Sequence, residues 1–429
     1  MNMADNKQAM EKGVSSISVG SKFGYGIGDF AFNASYQMIA FFLLIFYTDV
    51  FGISPAVAGS IFLFSKVWDA VSDPIMGYIT DRTNSRWGKK RPYIFFGAVP
   101  LGISIFLLFA APGLQGNLKI IYALLTFLLF CTAITVTNVP YGSLTAAMTT
   151  DSNERSSISG YRMTFALLGT LFAAGITKLL VSLFPDEITG FRCVSAIFGI
   201  MVIIILWITF FSTKERVVTE REERVSFIEN FRVIIRNKPF IILTFSTLLF
   251  MIAMNLMAII VNYYFKYNLN NEAMIPVAFL SIFLTAALLI PLYVYISKKK
   301  SKKYGLNIGM GVLVLSLLIL FFFGEKSIIY TIIILIIAGA GLSAVFLFPW
   351  AMIPDTVEYS EWKTGLRREG IIYGFFWVSF KIGTAIAGFI AGWGLDLSGY
   401  VNNVIQSETS LLGIRLMTVS YTHLTLPTN

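Results

Sequence analysis

Long apolar runs constrain this chain more than any other feature. Eleven runs come close to or exceed the ~20 residues that a helix needs to cross the hydrocarbon core of a bilayer. A twelfth begins at Leu411 and loses its apolar character after Met417. Closed barrels, the other spanning structure, would show short alternating segments. The sequence therefore predicts an all-α polytopic membrane protein, with runs near 23–48, 55–80, 92–112, 118–142, 158–184, 191–212, 240–265, 273–296, 305–323, 327–350 and 370–395.

The loops between these runs alternate in charge. Basic residues crowd every second loop, as at 82–91 and 298–303, whereas the loops between them carry few. Basic loops stay on the cytoplasmic side of a membrane, so the pattern predicts a cytoplasmic N-terminus and supports the helix count. It also explains the net charge of +9 without a nucleic acid partner. Residues 1–20 are polar, so the first span is expected to serve as the insertion signal.

A charged stretch divides the chain into two similar parts. Apolar residues recur among its charges, which predicts an amphipathic helix on the membrane or a solvated linker helix. Pro140-Tyr141 in the first part and Pro349-Trp350 in the second occupy matching places. Duplicated halves with a site between them are common in secondary carriers. The predicted organisation is a cytoplasmic tail, a six-helix bundle, a cytoplasmic loop, a second bundle and a final tail, at 1–22, 23–212, 213–239, 240–417 and 418–429.

Two acidic residues lie inside the second apolar run. Asp69 and Asp73 are four residues apart, so they share one face of a helix. An ionisable group in a spanning helix is costly and marks a pathway or a paired charge, and neighbouring carboxylates have coupled proton affinities. The pair is predicted to bind a cation, either a proton or a metal ion such as Na⁺. The alternative is a salt bridge to another helix.

Other polar residues in apolar runs are candidates for solute binding. Lys381 lies about two turns inside the eleventh run and is predicted to face the carboxylates or the solute, unless its helix starts later. Asn and Arg can hydrogen-bond sugar hydroxyls and aromatic faces suit sugar rings, although Asn also serves as packing between helices. Asp29 is equally consistent with the membrane interface. The candidates are Asn33, Tyr36, Asn138, Arg162 and Lys381.

Charged groups at helix ends on the basic side form a further set. Acidic and basic side chains there can offset helix dipoles and pair across a bundle. Residues at the end of the second run have counterparts near the end of the tenth run. We predict that this set controls conformational change, and its members are Asp81, Arg82, Asp355, Glu358 and Arg367.

Several segments together resemble a known family. Gly77-x3-Asp81-Arg82 with its basic run is similar to a loop motif of the major facilitator superfamily. More specific segments resemble the glycoside–pentoside–hexuronide:cation symporters. These are YGIGDF at 25–30, FYTDV at 46–50, WDAVSDPIMG at 68–77, SRWGK at 85–89, NVPY at 138–141 and DTVEY at 355–359. The resemblance covers nearly the whole chain. It implies two six-helix bundles and symport of a glycoside, pentoside or hexuronide with Na⁺ or H⁺ by alternating access.

The resemblance also implies roles for individual residues. The two intramembrane aspartates fall where the family's cation-site carboxylates lie, and Lys381 matches its lysine in helix 11. Arg162 matches an arginine near the sugar. Asn33 and Asn138 stand where melibiose-transporting members have sugar-binding aspartates. This departure removes acidic charge from the cavity and leaves open a different glycoside, a pentoside or an anionic sugar.

The predicted setting follows from the same resemblance. We expect a monomer in the bacterial cytoplasmic membrane that binds a small sugar, a coupling cation and lipid, with no cofactor. An enzyme is not expected, because no nucleophile–base or metal constellation appears in the sequence. A substrate sensor or a lipid or lysolipid carrier of the same fold is the alternative.

The end of the chain departs from the pattern of apolar spans. Residues 418–429 read TVSYTHLTLPTN. This segment is too polar to complete a span of about 20 residues. The sequence therefore predicts a twelfth helix that is cut short and a tail that is foreign to the fold.

Overall fold

The computed structural model describes residues 17–149, 151–216, 237–364 and 369–419. Within these ranges the chain is helical, with twelve α-helices and no strand. The first six are α1 Val19–Ile45, α2 Pro55–Arg82, α3 Arg91–Leu108, α4 Asn117–Met148, α5 Ser152–Val181 and α6 Glu187–Ser212. The second six are α7 Lys238–Tyr263, α8 Ile275–Lys299, α9 Lys302–Phe323, α10 Ile328–Thr364, α11 Glu369–Leu397 and α12 Glu408–Val419.

Short irregular turns extend some of these helices. α1 continues into a π-helical turn, Phe46–Val50, and α7 continues into another, Tyr264–Asn268. Single 3₁₀ turns at Glu272–Met274 and Gly324–Lys326 precede α8 and follow α9. The two π-helical turns occupy equivalent places in the two halves, at the same end of the molecule.

Ten of the described helices are long and apolar enough to cross a membrane. Those outside this group are α2 and α12. α2 has 28 residues, and its centre carries Lys66, Asp69 and Asp73, so its charge rather than its length sets it apart. α12 is described over 12 residues; the rest of the predicted tail, 420–429, lies outside the described residues. The prediction of an all-α polytopic membrane protein is confirmed.

The helices pack as one arrangement repeated twice. In the first half α1 lies against α5 and α6, α3 against α4 and α6, and α2 against α4. In the second half α7 lies against α11 and α12, α9 against α10 and α12, and α8 against α10. Each contact of the first half thus has its counterpart in the second, as expected for a duplicated carrier fold.

The molecule has two faces that differ in charge. Helices alternate in direction, so α2, α4, α6, α8 and α10 end on one face, which we call the basic face. α1, α3, α5, α7, α9 and α11 end on the opposite face. Most of the loop predicted as an amphipathic helix, residues 217–236, lies outside the described residues.

The two halves pack closely away from the basic face. In α11 a Cβ on Gly392 would lie 2.3 Å from the Pro55 carbonyl oxygen and 2.6 Å from the Cα of Gly59 in α2. Small residues of this kind let helix backbones approach within a membrane. Lys178 of α5 forms an ion pair of 2.7 Å with Glu272 before α8. The halves therefore meet through backbone contact and ion pairs near the opposite face.

One carboxylate fixes the connection between α2 and α3. Glu215, just after α6, accepts hydrogen bonds from the backbone N–H groups of Lys89, Lys90 and Arg91 at 2.9, 2.8 and 3.1 Å. A negative charge at a helix N-terminus is favourable. Gly88 has φ of 104°, and a Cβ there would lie 2.4 Å from the Glu215 carboxylate. The SRWGK segment therefore needs glycine to admit the side chain that clamps it.

Enlarging the glycine contact should separate the halves. We expect Gly392→Val to disfavour the closed arrangement, because its branched side chain cannot fit against α2. Spin labels at Ser54 and Ser407, both exposed on the opposite face, should move apart, as measured by double electron–electron resonance. Gly77→Ala is the control, since a Cβ at Gly77 meets nothing within 4 Å. An unchanged distance in a folded Gly392→Val protein would contradict this role.

Candidate functional site

Six charged side chains lie at similar depth within the helices. Each is 9 to 16 residues from the basic-face end of its helix, or about 14–24 Å along the axis. Three are acidic and three are basic. They are Asp29, Lys66, Asp69, Asp73, Arg162 and Lys381. They form two groups, which we call the carboxylate–lysine cluster and the Asp29–Arg162 cluster.

The carboxylate–lysine cluster joins the two halves. Lys381 of α11 places its Nζ 3.3 Å from Oδ2 of Asp69 and in direct ion-pair contact with Asp73, both in α2. Asp69 is buried, whereas the side chains of Asp73 and Lys381 are 29% and 26% exposed. An entering cation therefore meets Asp73 before Asp69. The structure brings the two aspartates and Lys381 together, and their roles in binding stay predictions.

Hydroxyl groups complete the oxygen donors around the two carboxylates. The Thr135 hydroxyl of α4 lies 3.1 Å from Oδ1 of Asp69 and 2.9 Å from Oδ1 of Asp73. Ser72 lies 3.2 Å from the same Thr135 hydroxyl. Carboxylates and hydroxyls are the hard oxygen ligands that alkali ions require. The arrangement can accept either a proton on a carboxylate or a small metal ion between the oxygens.

A second lysine belongs to this cluster. Lys66 is buried in α2, with its Nζ 3.7 Å from Oδ2 of Asp69 and 4.7 Å from the centre of the Tyr36 ring. A cation over an aromatic face is stabilised by the ring quadrupole. Lys66 is not among the residues predicted from the sequence, although its position three residues before Asp69 places both on one helix face. The structure also assigns Tyr36 a neighbour, the Lys66 ammonium.

The Asp29–Arg162 cluster lies within the first half. Asp29 is 7% exposed, so it occupies the bundle interior rather than the membrane interface. Its Oδ2 accepts from Nε of Arg162 at 2.6 Å and its Oδ1 accepts from Nη2 at 3.2 Å. The Tyr141 hydroxyl donates to Oδ2 at 2.6 Å. A guanidinium that meets a carboxylate edge to edge forms one of the stronger polar contacts in proteins.

Aromatic rings enclose this ion pair. The guanidinium lies 5.4 Å from the ring centre of Tyr25 and 5.0 Å from that of Tyr141. The Tyr25 hydroxyl donates to the Tyr141 carbonyl oxygen at 2.6 Å. Neither tyrosine is among the sequence-predicted site residues, but both lie in the segments YGIGDF and NVPY. The two tyrosine rings and the salt bridge to Asp29 therefore fix the position of Arg162.

One face of α4 connects the two clusters. Thr135 reaches the carboxylates, Tyr141 reaches Asp29, and Thr145 lies 3.5 Å from Nη1 of Arg162. Asn138 is three residues from both Thr135 and Tyr141, so it lies between them on the same face, and it is exposed. Along α4, Asn138 thus lies between the residues that contact the two ion clusters.

Asn33 is bound to its own helix. Its Nδ2 donates to the Asp29 carbonyl oxygen at 2.8 Å, one turn earlier, and its side chain is half-buried. Residues of the set predicted to control conformational change lie at the basic face. Asp355 accepts from the Lys302 ammonium at 2.6 and 2.8 Å. The Asp81 side chain and Arg367 lie outside the described residues. The exposed members among the described side chains are Arg82, Asp355 and Glu358.

A third ionic group closes the opposite face. Asp49, in the π-helical turn after α1, pairs with Lys266 at 2.6 Å and accepts from the Tyr267 hydroxyl at 2.5 Å. It also accepts from the Tyr400 hydroxyl. The Asn403 side chain donates to the Asp49 carbonyl oxygen at 2.6 Å. We call these five residues the outer lock, because Asp49 belongs to the first half and its partners to the second.

The electrostatics of the outer lock favour hydrogen-bond donation from Tyr400 to Asp49. Burial, followed by the neighbouring Tyr263 and the Asp49 carboxylate, raises the pKa of Tyr400 well above its ordinary value. Tyr400 therefore remains protonated and acts as a donor. Of the sequence segments, FYTDV contains Asp49, but its partners come from distant parts of the chain. Sequence spacing therefore could not predict the contacts between Asp49 and these partners.

Comparison with known proteins identifies the family. A family model described as MFS/sugar transport protein matches residues 24–426. The chain belongs to this family. It is 37% identical to an uncharacterised symporter of Bacillus subtilis (strain 168), over 95% of this chain and 89% of the relative. It is 31% identical to the isoprimeverose transporter of Lactiplantibacillus pentosus, over 92% of this chain and 84% of that protein.

Solved structures support the fold of this transporter. It is similar to the crystal structure of the nucleoside transporter NupG, with a TM-score of 0.67 at 12% identity, covering 94% of this chain and 97% of that one. At this identity the similarity concerns the fold alone. The major facilitator fold and the family predicted from the sequence motifs are both confirmed. The chain is a member of the MFS/sugar transport family with the major facilitator fold.

The outer lock should control the closed state of this transporter. We expect Asp49→Asn to weaken it, because Lys266 loses the carboxylate that offsets its buried charge. The Ser54–Ser407 label distance should then shift toward longer values. Asp396→Asn, which also removes one exposed acid in the second half, is the matched control. A distance distribution identical to the wild type would show that the lock does not hold the halves together.

Lys66 should set the cation affinity of the transporter. Lys66→Met leaves two carboxylates with one ammonium, so the cluster gains net negative charge and attracts the coupling cation more strongly. We expect the cation concentration for half-maximal uptake to fall about tenfold or more. Lys66→Arg should restore the wild-type value, and Lys326→Met, which removes an exposed cation, should not change it. Unchanged cation dependence in stable Lys66→Met protein would assign Lys66 to packing alone.

Proposed function

We propose that this protein imports a sugar across the bacterial cytoplasmic membrane with a coupling cation, which binds at Asp69 and Asp73. Family membership and relatives named as symporters support the reaction class. The observation that carries the mechanism is the position of the carboxylate–lysine cluster. Its carboxylates come from α2 in the first half, and Lys381 comes from α11 in the second.

A cation site shared by two moving halves couples occupancy to conformation. In this structure Lys381 neutralises the carboxylates and ties α2 to α11. An incoming Na⁺ or proton competes with Lys381 for Asp69 and Asp73, so cation binding weakens this tie. A ligand shifts a conformational equilibrium through such a difference in affinity between states. Cation occupancy thereby changes the free energy needed to separate the halves.

The sugar is proposed to bind between the two ion clusters. Asn138, Asn33 and Arg162 offer amide and guanidinium groups that suit sugar hydroxyls. Tyr36 offers an aromatic ring, one side of which carries the Lys66 ammonium. A sugar in this place touches the α4 face that also carries Thr135, so solute and cation contact one rigid helix. This proximity gives the two ligands a direct route to influence each other's binding.

The closed opposite face fits one state of an alternating-access cycle. If the basic face is cytoplasmic, as the loop charges indicate, this structure is closed to the outside. Solute then leaves toward the cytoplasm, and import requires a second state in which the outer lock and the Gly59–Gly392 contact separate. We propose that residues at the basic face, including Asp81, Arg82, Asp355, Glu358 and Arg367, hold that second state.

The rival functions have less support. A substrate sensor would not need the paired carboxylates of the cluster. A lipid or lysolipid carrier would need an apolar groove for acyl chains at the solute site, whereas the proposed solute site lies between two clusters of ionic side chains. We propose that the protein acts as a monomer, since each half finds its complement within the same chain.

Removing either carboxylate should uncouple transport. We expect Asp69→Asn and Asp73→Asn to abolish accumulation of sugar in proteoliposomes while exchange of sugar across the membrane partly survives, because each loses charge from the cation site. Uptake of isoprimeverose and a panel of radiolabelled glycosides and pentosides is measured with a Na⁺ gradient or a pH gradient. The gradient that drives uptake identifies the coupling ion.

The control for this test is Asp186→Asn. Asp186 is exposed and caps α6 by accepting the Thr189 N–H at 2.8 Å, and asparagine preserves such a cap. It should accumulate sugar like the wild type. Full accumulation in both site variants would overturn the proposed cation site, and a wild type that moves no sugar in any gradient would overturn the proposed function.

A further inference from the structure

The central charges of this protein are balanced within each cluster. The carboxylate–lysine cluster has two acids and two ammonium groups, and the second cluster pairs Asp29 with Arg162. All of these residues lie in the described part of the chain. A site that recognises an anionic solute usually presents a cation with no carboxylate of its own. Each cation beside the proposed sugar site already contacts a carboxylate.

Asp29 restores an acid that the neighbouring positions lack. Asn33 and Asn138 are uncharged, which from the sequence left an anionic sugar open. Asp29 lies one turn before Asn33, and the two are joined by the hydrogen bond from Nδ2 of Asn33 to the Asp29 carbonyl oxygen. The Asp29 carboxylate therefore lies on the same helix as Asn33, one turn away. It is directed at Arg162 rather than at the solute.

The geometry of Arg162 decides what it can still bind. Asp29 occupies the Nε–Nη2 edge of the guanidinium, one of the two edges that can hold a carboxylate through two parallel hydrogen bonds, and it already compensates the charge. The aromatic rings of Tyr25 and Tyr141 lie over the same group. Nη1, which lies 3.5 Å from Thr145, remains an N–H donor for a hydroxyl. Arg162 thus acts as a hydrogen-bond donor whose charge is already compensated.

We propose that Asp29 determines the charge of the transported solute, by holding Arg162 so that the site selects uncharged sugars over sugar acids. This inference rests on the proposed function and adds the solute class. Asp29 is a positioning residue, since it acts through Arg162. A second carboxylate at Arg162 would place two anions on one cation within a site of low dielectric. A hydroxyl brings no such repulsion.

The experiment compares matched sugars that differ only in charge. Methyl glucoside and methyl glucuronide form one pair, and methyl galactoside and methyl galacturonide form another; each pair exchanges a hydroxymethyl for a carboxylate. Competition with the labelled sugar that the wild type accumulates gives the affinity for each member. The wild type should bind the neutral member at least about tenfold more tightly, the scale of a charge-assisted hydrogen bond.

Asp29→Asn should reverse this preference. Arg162 then loses its anionic partner, and the uronide should gain about tenfold or more in affinity relative to its neutral counterpart. Asp29→Glu, which keeps the charge, should retain the neutral preference. Asp186→Asn removes an acid far from the site and should leave the ratio unchanged. A merely structural role of Asp29 would lower both affinities together and leave the ratio as it was.

A double variant keeps the proposal testable if Asp29→Asn folds poorly. Asp29→Asn with Arg162→Gln removes both charges. No unpaired cation then remains, and the protein should again prefer the neutral sugar. A wild type that prefers uronides, or an Asp29→Asn protein with an unchanged ratio, would overturn the proposal while leaving sugar symport intact. A wild type whose uptake of labelled sugars follows no cation gradient would instead overturn the proposed function and the solute class with it.

Discussion

The ion pair between α2 and α11 is the interaction on which the rest of the structure depends. A charged group inside a membrane protein is tolerated when it is paired or hydrogen-bonded, and isolating one such charge would cost several kcal/mol. Asp69 and Asp73 obtain their countercharge from Lys381 of the other half and from Lys66 of their own helix. The first half therefore cannot keep its carboxylates compensated in the same way if α11 moves. Electrostatics therefore links the position of the second half to the charges of Asp69 and Asp73.

Packing near the opposite face also holds the two halves together. Gly59 and Gly392 bring the backbones of α2 and α11 into contact, and Asp49 joins α1 to the end of α7. Both contacts lie farther from the basic face than Lys381. Backbone contact gives shape complementarity without deep side-chain interlocking, so the two helices can separate without repacking a core. The polar groups of the outer lock remain satisfied by water once exposed, which lowers the barrier to opening.

The sequence predicts the architecture better than the site. Apolar runs and loop charges follow from the bilayer, so the helix order and the twofold arrangement could be read without a structure. The Asp69–Asp73 pair could be read because one helix carries both. Lys66 could also have been predicted, because its spacing of three residues from Asp69 places both on one helix face. The partners of Asp49 could not be found, because residues 217 to 354 positions away meet it through folding of the whole chain.

The row of residues along α4 has a consequence for how the molecule divides its tasks. Thr135, Asn138 and Tyr141 lie on one rigid helix, and both clusters contact it. The cation oxygens and the guanidinium therefore keep a constant separation through any rigid movement of the halves. Among the charged groups of the two clusters, only Lys381 comes from the second half. The first half thus holds almost all of the proposed cation and sugar sites at fixed distances from one another, and the second half contributes the one charged group that moves relative to them.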